Sequence, residues 1–218
     1  MYILKKTGDF YMKRILLLFT ILLVSVLTTA CINNLAIQEL NNKAVAYMDK
    51  GDTETAICRL KSSLDLDDEI FQTHYNLAVA YNTIGKYKES LEESKKVLEL
   101  KPDFLDAIYT LAVAKEALAY ELIDDKTILG ADKPELSMDE IAEFNNAAQG
   151  AIDAYNEYLV KKVDAKETDE VNAKIAELNQ KIKELTQIYD TKSMETQNLI
   201  NKEIKKSNVS SKEEIITE

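Results

Sequence analysis

Two windows of this sequence repeat one another at an interval of 34 residues: Leu40, Ala44, Tyr47, Gly51, Ala56 and Leu60 share their spacing with His74, Ala78, Tyr81, Gly85, Ser90 and Ser94. A fixed interval of this size restricts the fold more than any other feature of the chain. Each unit is one helical hairpin whose apolar face cannot be buried alone, so neighbouring units must stack. The glycines fit this plan. Glycine costs roughly 1 kcal/mol against alanine inside a helix, so Gly85 in the stretch YNTIGKYKES belongs between helices. Without a Cβ it can take the left-handed conformation that ends a helix, leaving Lys86 and Tyr87 to begin the next, and Gly51 does the same one unit earlier.

Composition agrees with an all-α chain. Of 218 residues, 5 are glycine and 2 proline, and 46% are hydrophobic, with scarce strand signals. The formal charge of −11 repels DNA, RNA and anionic lipid headgroups, so no nucleic-acid partner is expected. The acidic residues are spread along the helices as a solvated face.

The first two units span 37–70 and 71–104. A third, degenerate unit at 105–165 begins in phase with Leu105, Ile108, Leu111 and Ala112, but Lys115 and Ala119 stand where tyrosine and glycine stood. The turn signal is therefore missing, and the first helix of this unit should run on to about Ile123. An inserted loop at about 124–138 follows, and Ser137 with Glu140 forms a capping box for the next helix. There Phe144, Ala147, Ala151 and Ala154 keep the second-helix spacing. From 166 to 206 a C-terminal helix carries Val171, Ile175, Leu178, Ile182, Leu185 and Tyr189. This stripe either caps the last unit or serves as a coiled-coil seam for a second copy, giving a homodimer. The polar end, 207–218, reads as disordered.

Residues His74, Leu77, Ala78, Tyr81, Ser90, Ser94 and Pro102 resemble the pattern of the tetratricopeptide repeat, with Tyr87, Val97, Leu98 and the closing LELKPD adding to the likeness. The resemblance implies a right-handed superhelix of helical hairpins with a long C-terminal capping helix. It also implies a concave groove, lined by the first helix of each unit, that holds an extended peptide or a helix. Carried onto this chain, the groove has three columns: Asn41, Tyr75 and Tyr109; Val45, Val79 and Val113; Met48, Asn82 and Glu116. Relatives that clamp a terminal carboxylate need a lysine and an asparagine where this chain has Asn41 and Val45, which argues against chaperone-tail binding.

Ahead of the repeats, MKRILLLFTILLVSVLTTAC from Met12 sets two basic residues before an apolar run, Ile15 to Val26, and small residues before Cys31. This is the plan of a signal peptide over 1–30, with Met12 a candidate initiator. The run is shorter than the ~20 residues of a comfortable membrane span. Thr29, Ala30 and Cys31 resemble the lipobox of bacterial lipoproteins, although Thr28 stands where leucine is commonest. That resemblance implies cleavage before Cys31, a diacylglycerol on its thiol and palmitate-type acylation of the new amino end, with 31–36 a short lipid-anchored tether. Two such anchoring signals hold a protein stably at a membrane. Removal of 1–30 leaves a formal charge of about −14. Ile32 follows the cysteine, which points toward an outer rather than an inner membrane. Cys58 then lacks a disulfide partner and is expected to be a packed or half-exposed thiol.

Signals for chemistry are few. His74 is the only histidine and should pack between helices, and no metal set can be built from it. Asp65, Asp67, Asp68 and Glu69 lack the glycine and glutamate of a calcium loop. No phosphate loop or nucleophile motif is present. The chain thus reads as a non-enzymatic adaptor without a cofactor, similar to tetratricopeptide lipoproteins that help assemble outer-membrane proteins or pilus secretins. The alternatives are a self-associating structural lipoprotein, through the 171–189 stripe, and an accessory cell-wall enzyme.

Overall fold

The computed structural model describes residues 2–124, 136–162 and 168–216, with only the backbone described for 2–13, 23–32 and 207–216. Among these residues there are seven α-helices and no strand: α1 (Tyr2–Met48), α2 (Thr53–Leu64), α3 (Phe71–Thr83), α4 (Tyr87–Leu100), α5 (Leu105–Glu121), α6 (Met138–Lys161) and α7 (Thr168–Ile216). They pair as successive hairpins, α1 with α2, α3 with α4 and α5 with α6, and each hairpin packs on the next. The result is an α-α solenoid.

The reversals follow from backbone chemistry. Gly51 and Gly85 have φ of 79° and 72°, in the left-handed region. At both, the same two bonds recur: Gly51 N to Met48 O with Asp52 N to Tyr47 O, and Gly85 N to Asn82 O with Lys86 N to Tyr81 O. These bonds satisfy carbonyls that the ending helix leaves orphaned, the arrangement of a Schellman cap. Asp52 then caps α2 by accepting from the Thr55 amide at 3.2 Å.

Equivalent positions of the two units share a fate. Ala44, Ala78, Ala56, Leu60, Ser90 and Ser94 are all fully buried, at the contacts between helices where only a small or closely fitted side chain is admitted. Ser90 and Ser94 stand where the repeat pattern has alanine and phenylalanine. Among the described residues neither hydroxyl meets a hydrogen-bond partner, an arrangement that weakens this hairpin. His74 is buried between α3, α4 and the preceding loop. Its Nδ1 lies 2.6 Å from Glu93 Oε2 and its Nε2 2.8 Å from the Asp68 carbonyl.

In the third unit Lys115 replaces the packing tyrosine, and its Nζ donates to the Gly150 carbonyl of α6 at 3.1 Å. The capping box at Ser137 and Glu140 is formed in both directions. Most of the inserted loop at 124–138 lies outside the described residues. The apolar stripe of α7 lies along α6, with Val171 1% exposed and Leu178 and Leu185 fully buried. This corrects the self-association reading: the 171–189 stripe is consumed inside the molecule, because the open end of the last hairpin offers it an apolar face. The backbone of α7 continues through Ile216, into the polar end read as disordered over 207–218, of which 217–218 lie outside the described residues. The segment is polar, but from Thr168 onward no glycine or proline interrupts it. Cys58, expected to be packed or half-exposed, is exposed.

Residues 31–36, read as a tether, are part of the unbroken α1. Among the described side chains of α1 the first that is buried is Ile37, 5% exposed. Upstream, Ile15, Leu16, Leu17, Leu18, Phe19, Ile21 and Leu22 are 58–66% exposed on all sides of the helix. Among the described residues no helix is long and apolar enough to cross a membrane.

Two expected outcomes test this account. A Cβ at Gly85 meets nothing within 4 Å, so Gly85→Ala carries only the conformational cost of a left-handed alanine, about 1–2 kcal/mol. Urea unfolding should show that loss, and Gly85→Asn should recover part of it. For His74, burial opposes the imidazolium, but the bonds to Glu93 and Asp68 outweigh burial and raise its pKa above 6.5. Both acceptors are satisfied only when both ring nitrogens carry protons. Stability from this group is therefore full below about pH 6.5 and declines as pH rises through the folded-state pKa. In His74→Phe the urea midpoint should lose this slope between about pH 6 and pH 8.

Candidate functional site: a tyrosine-lined groove

The first helices of successive units, α1, α3 and α5, form the inner face, and the start of α7 continues it. The three sequence-derived columns fare differently on this face. Asn41 is turned inward: its Nδ2 donates to Thr73 Oγ1 at 2.9 Å and Ser63 Oγ at 3.1 Å, and its Oδ1 accepts from Asn76 Nδ2. It fastens α1 to α2 and α3. Asn82 donates to the Thr110 carbonyl at 3.2 Å, linking α3 to α5. Glu116 accepts from the buried Tyr155 hydroxyl of α6 and from Lys174 Nζ of α7 at 3.2 Å, so it joins three helices. Met48 is half-buried against the first hairpin's core.

What remains is more apolar. Val45 is 43% exposed, Val79 and Val113 are half-buried, and Tyr75 and Tyr109 present their rings. Tyr75 meets Phe104 edge-on at 5.0 Å, and Tyr109 lies 5.2 Å from the Tyr158 ring and 6.0 Å from Tyr155. Such contacts fix the rings, and fixed aromatic rings contribute binding area at little entropic cost.

These rings wall a cavity of about 330 Å³ lined by Tyr75, Asp106, Tyr109, Tyr158, Glu170 and Val171. Burial raises the pKa of Tyr75, Tyr109 and Tyr158, and the nearby carboxylates of Asp106 and Glu170 add to the rise. The phenols therefore stay neutral and protonated. Tyr120, half-buried and bonded to Glu177, is pushed up to about 12. Among the described residues no group of histidine, cysteine, aspartate and glutamate could hold a metal ion.

Sequence reasoning reached Tyr75 and Tyr109 but missed Asp106, Tyr158 and Glu170. Asp106 could have been found, because it lies three residues before Tyr109 and so shares its helix face. Tyr158 could not. The insertion before α6 breaks the 34-residue register that places residues by analogy. Cys31 lies within α1, and only its backbone is described.

Residues 71–104 match the family model described as the tetratricopeptide repeat. No relative is found among curated proteins. Among solved structures, the chain is similar to the second TPR domain of the human RPAP3 protein, determined in complex with an HSP70 peptide. The TM-score is 0.50 at 14% identity, over 67% of this chain and 98% of that one. The first TPR domain of human RPAP3 gives 0.50 at 16% identity, over 69% and 95%. At these identities the likeness is one of fold.

Loss of the Glu116 carboxylate strands the Tyr155 hydroxyl and frees Lys174. Glu116→Ala should cost about 1–3 kcal/mol and speed amide exchange in the first turns of α7. Unchanged exchange there would show that apolar packing alone holds α7.

Proposed function

We propose that this chain, whose residues 71–104 carry a tetratricopeptide repeat, is a membrane-anchored adaptor that binds a segment of another cell-envelope protein in its inner groove. The observation that carries the reading is the inner face itself: Val45, Tyr75, Val79 and Tyr109 form an apolar, ring-rich track that the chain's own helices leave uncovered. Rigid aromatic rings beside half-buried valines suit an extended peptide or an amphipathic helix. The peptide bound by the RPAP3 domain supports this use of the fold as analogy. The cavity lining offers rings and carboxylates but no nucleophile beside a base, so the proposed role is binding and not turnover.

The anchor rests on a separate observation. Seven large apolar residues between Ile15 and Leu22 face outward around the whole helix, a surface that water disfavours and an acyl-chain interior accepts. A signal peptide over 1–30, cut before Cys31, accounts for it, and the lipid would hold the mature chain on the bacterial envelope: the periplasmic face of the outer membrane in a Gram-negative cell, the cell surface otherwise. The acidic repeats would be held off anionic headgroups by charge while the acyl chains hold the end of α1.

Metabolic labelling with a palmitate analogue should mark the wild type and not Cys31→Ser, which should also leave the membrane fraction. Crosslinking capture from cells of the native host should recover an envelope protein with the wild type. Recovery should fall several-fold with Tyr75→Ala combined with Val79→Ala, by the scale of an interface anchor. Capture that is indifferent to both substitutions removes the groove from the proposal.

A further inference from the structure

The cavity at the α3, α5, α6 and α7 junction has a composition that a merely apolar track does not need. Three tyrosine rings, from Tyr75, Tyr109 and Tyr158, surround it. Tyr158 is 4% exposed, whereas Asp106 and Glu170 are exposed at the opening. The two carboxylates line the cavity from two helices, Asp106 from α5 and Glu170 from α7, and add to the rise that burial gives the Tyr75, Tyr109 and Tyr158 hydroxyls, with Lys174 opposing it at Tyr109.

An apolar guest would gain nothing from those carboxylates and would have to shed their water. A cation gains from both features. The face of an aromatic ring attracts a positive charge through its quadrupole, with about 0.5–1 kcal/mol at exposed sites and about 2 when water is excluded, and a carboxylate at the opening supplies the charge partner. Outside the cavity, aromatic rings of this molecule already hold cations. Lys162 Nζ lies 5.0 Å from the Tyr158 ring centroid and donates to its hydroxyl at 2.6 Å, and Lys101 Nζ lies 4.4 Å from Phe71 and 5.0 Å from Phe104. The flanking Lys174 is engaged by Glu116 at 3.2 Å. Neither Lys162 nor Lys174 is among the residues lining the cavity. A volume of about 330 Å³ is at the small end of ligand sites, room for one long side chain and not for a folded element.

We propose that this cavity is an aromatic cage for the cationic head of one lysine or arginine side chain on the segment bound in the groove. The inference rests on the groove reading above and makes it specific: the partner segment is basic at one position, and its acidic counterpart is rejected. This is the reverse of a site that clamps a carboxylate.

The cage can be read without the partner. The full chain, held in uncharged maltoside micelles and labelled with ¹³C at its tyrosine rings, is titrated with Nα-acetyl-lysine methylamide, Nα-acetyl-arginine methylamide and the uncharged Nα-acetyl-norleucine methylamide. Ring signals of Tyr75, Tyr109 and Tyr158 should move saturably with a cationic probe and not with norleucine, while Tyr189 stays still. Asp106→Asn with Glu170→Gln keeps all three rings and should weaken the response roughly fivefold or more. Equal shifts from norleucine, or an undiminished response in the double variant, overturn the cage. Tightest binding by tetramethylammonium, added as a fourth probe, reassigns the cage to a quaternary ammonium and overturns the side-chain source. Because no partner is present, failure here leaves the groove to its own capture experiment. Ring shifts without any captured protein would instead fault the groove reading.

Discussion

The fold depends on mutual burial between hairpins that are each too thin to have an interior. A pair of helices can shield one stripe of apolar side chains from each other, but the opposite stripe stays wet until another pair lies on it. Every other feature answers to that need. The chain must reverse at regular intervals, which places glycine at Gly51 and Gly85, and the contacts between pairs must be close, which places alanine or serine at Ala44, Ala78, Ser90 and Ser94. The last hairpin has no successor. In its place α7 lays Val171, Leu178 and Leu185 on α6, and Glu116 ties the new helix to α5 and α6 at once.

The inner face is a by-product of the same geometry. Stacking uses two sides of each first helix, and the third side is left to solvent along a shared concavity. Side chains there are constrained only by their neighbours across the interval, so Tyr75 and Tyr109 keep their rings toward the concavity while Asn41 and Asn82 are spent as crosslinks between helices. The division is chemical. An amide on the inner face finds a hydroxyl or carbonyl of the next helix within reach, whereas the Tyr75 and Tyr109 rings stay half-buried at the concavity, braced by Phe104 and Tyr158.

Much of this was legible in the letters. The interval located the hairpins, the left-handed glycines and the buried small residues, because all three are set by local rules that repeat. What stayed hidden depends on the side chains' third-dimensional neighbours. Nothing in the identity of Asn41 says that Ser63 and Thr73 lie within its reach, and nothing in the Val171-to-Tyr189 stripe says whether it meets α6 or another molecule. Polarity argues against a core, not against a helix, so the run without glycine or proline after Lys206 lets the backbone of α7 continue. Asp106, Tyr158 and Glu170 come from two faces and an irregular unit, so no single periodicity brings them together.

One consequence follows from the continuity of α1. The helix passes without a break from the apolar stretch, through Cys31, into the first hairpin, and Ile37, the first buried side chain described on it, stands six positions and about 9 Å of rise beyond Cys31. A coil at that point would act as a swivel; a helix acts as a spindle. With the proposed lipid on Cys31, the compass direction in which the concavity looks would be set by the count of residues between that anchor and the repeats, each one turning the body by about 100°. Such a protein would not sweep the space above its membrane but hold one bearing, and evolution could re-aim it by inserting a single letter.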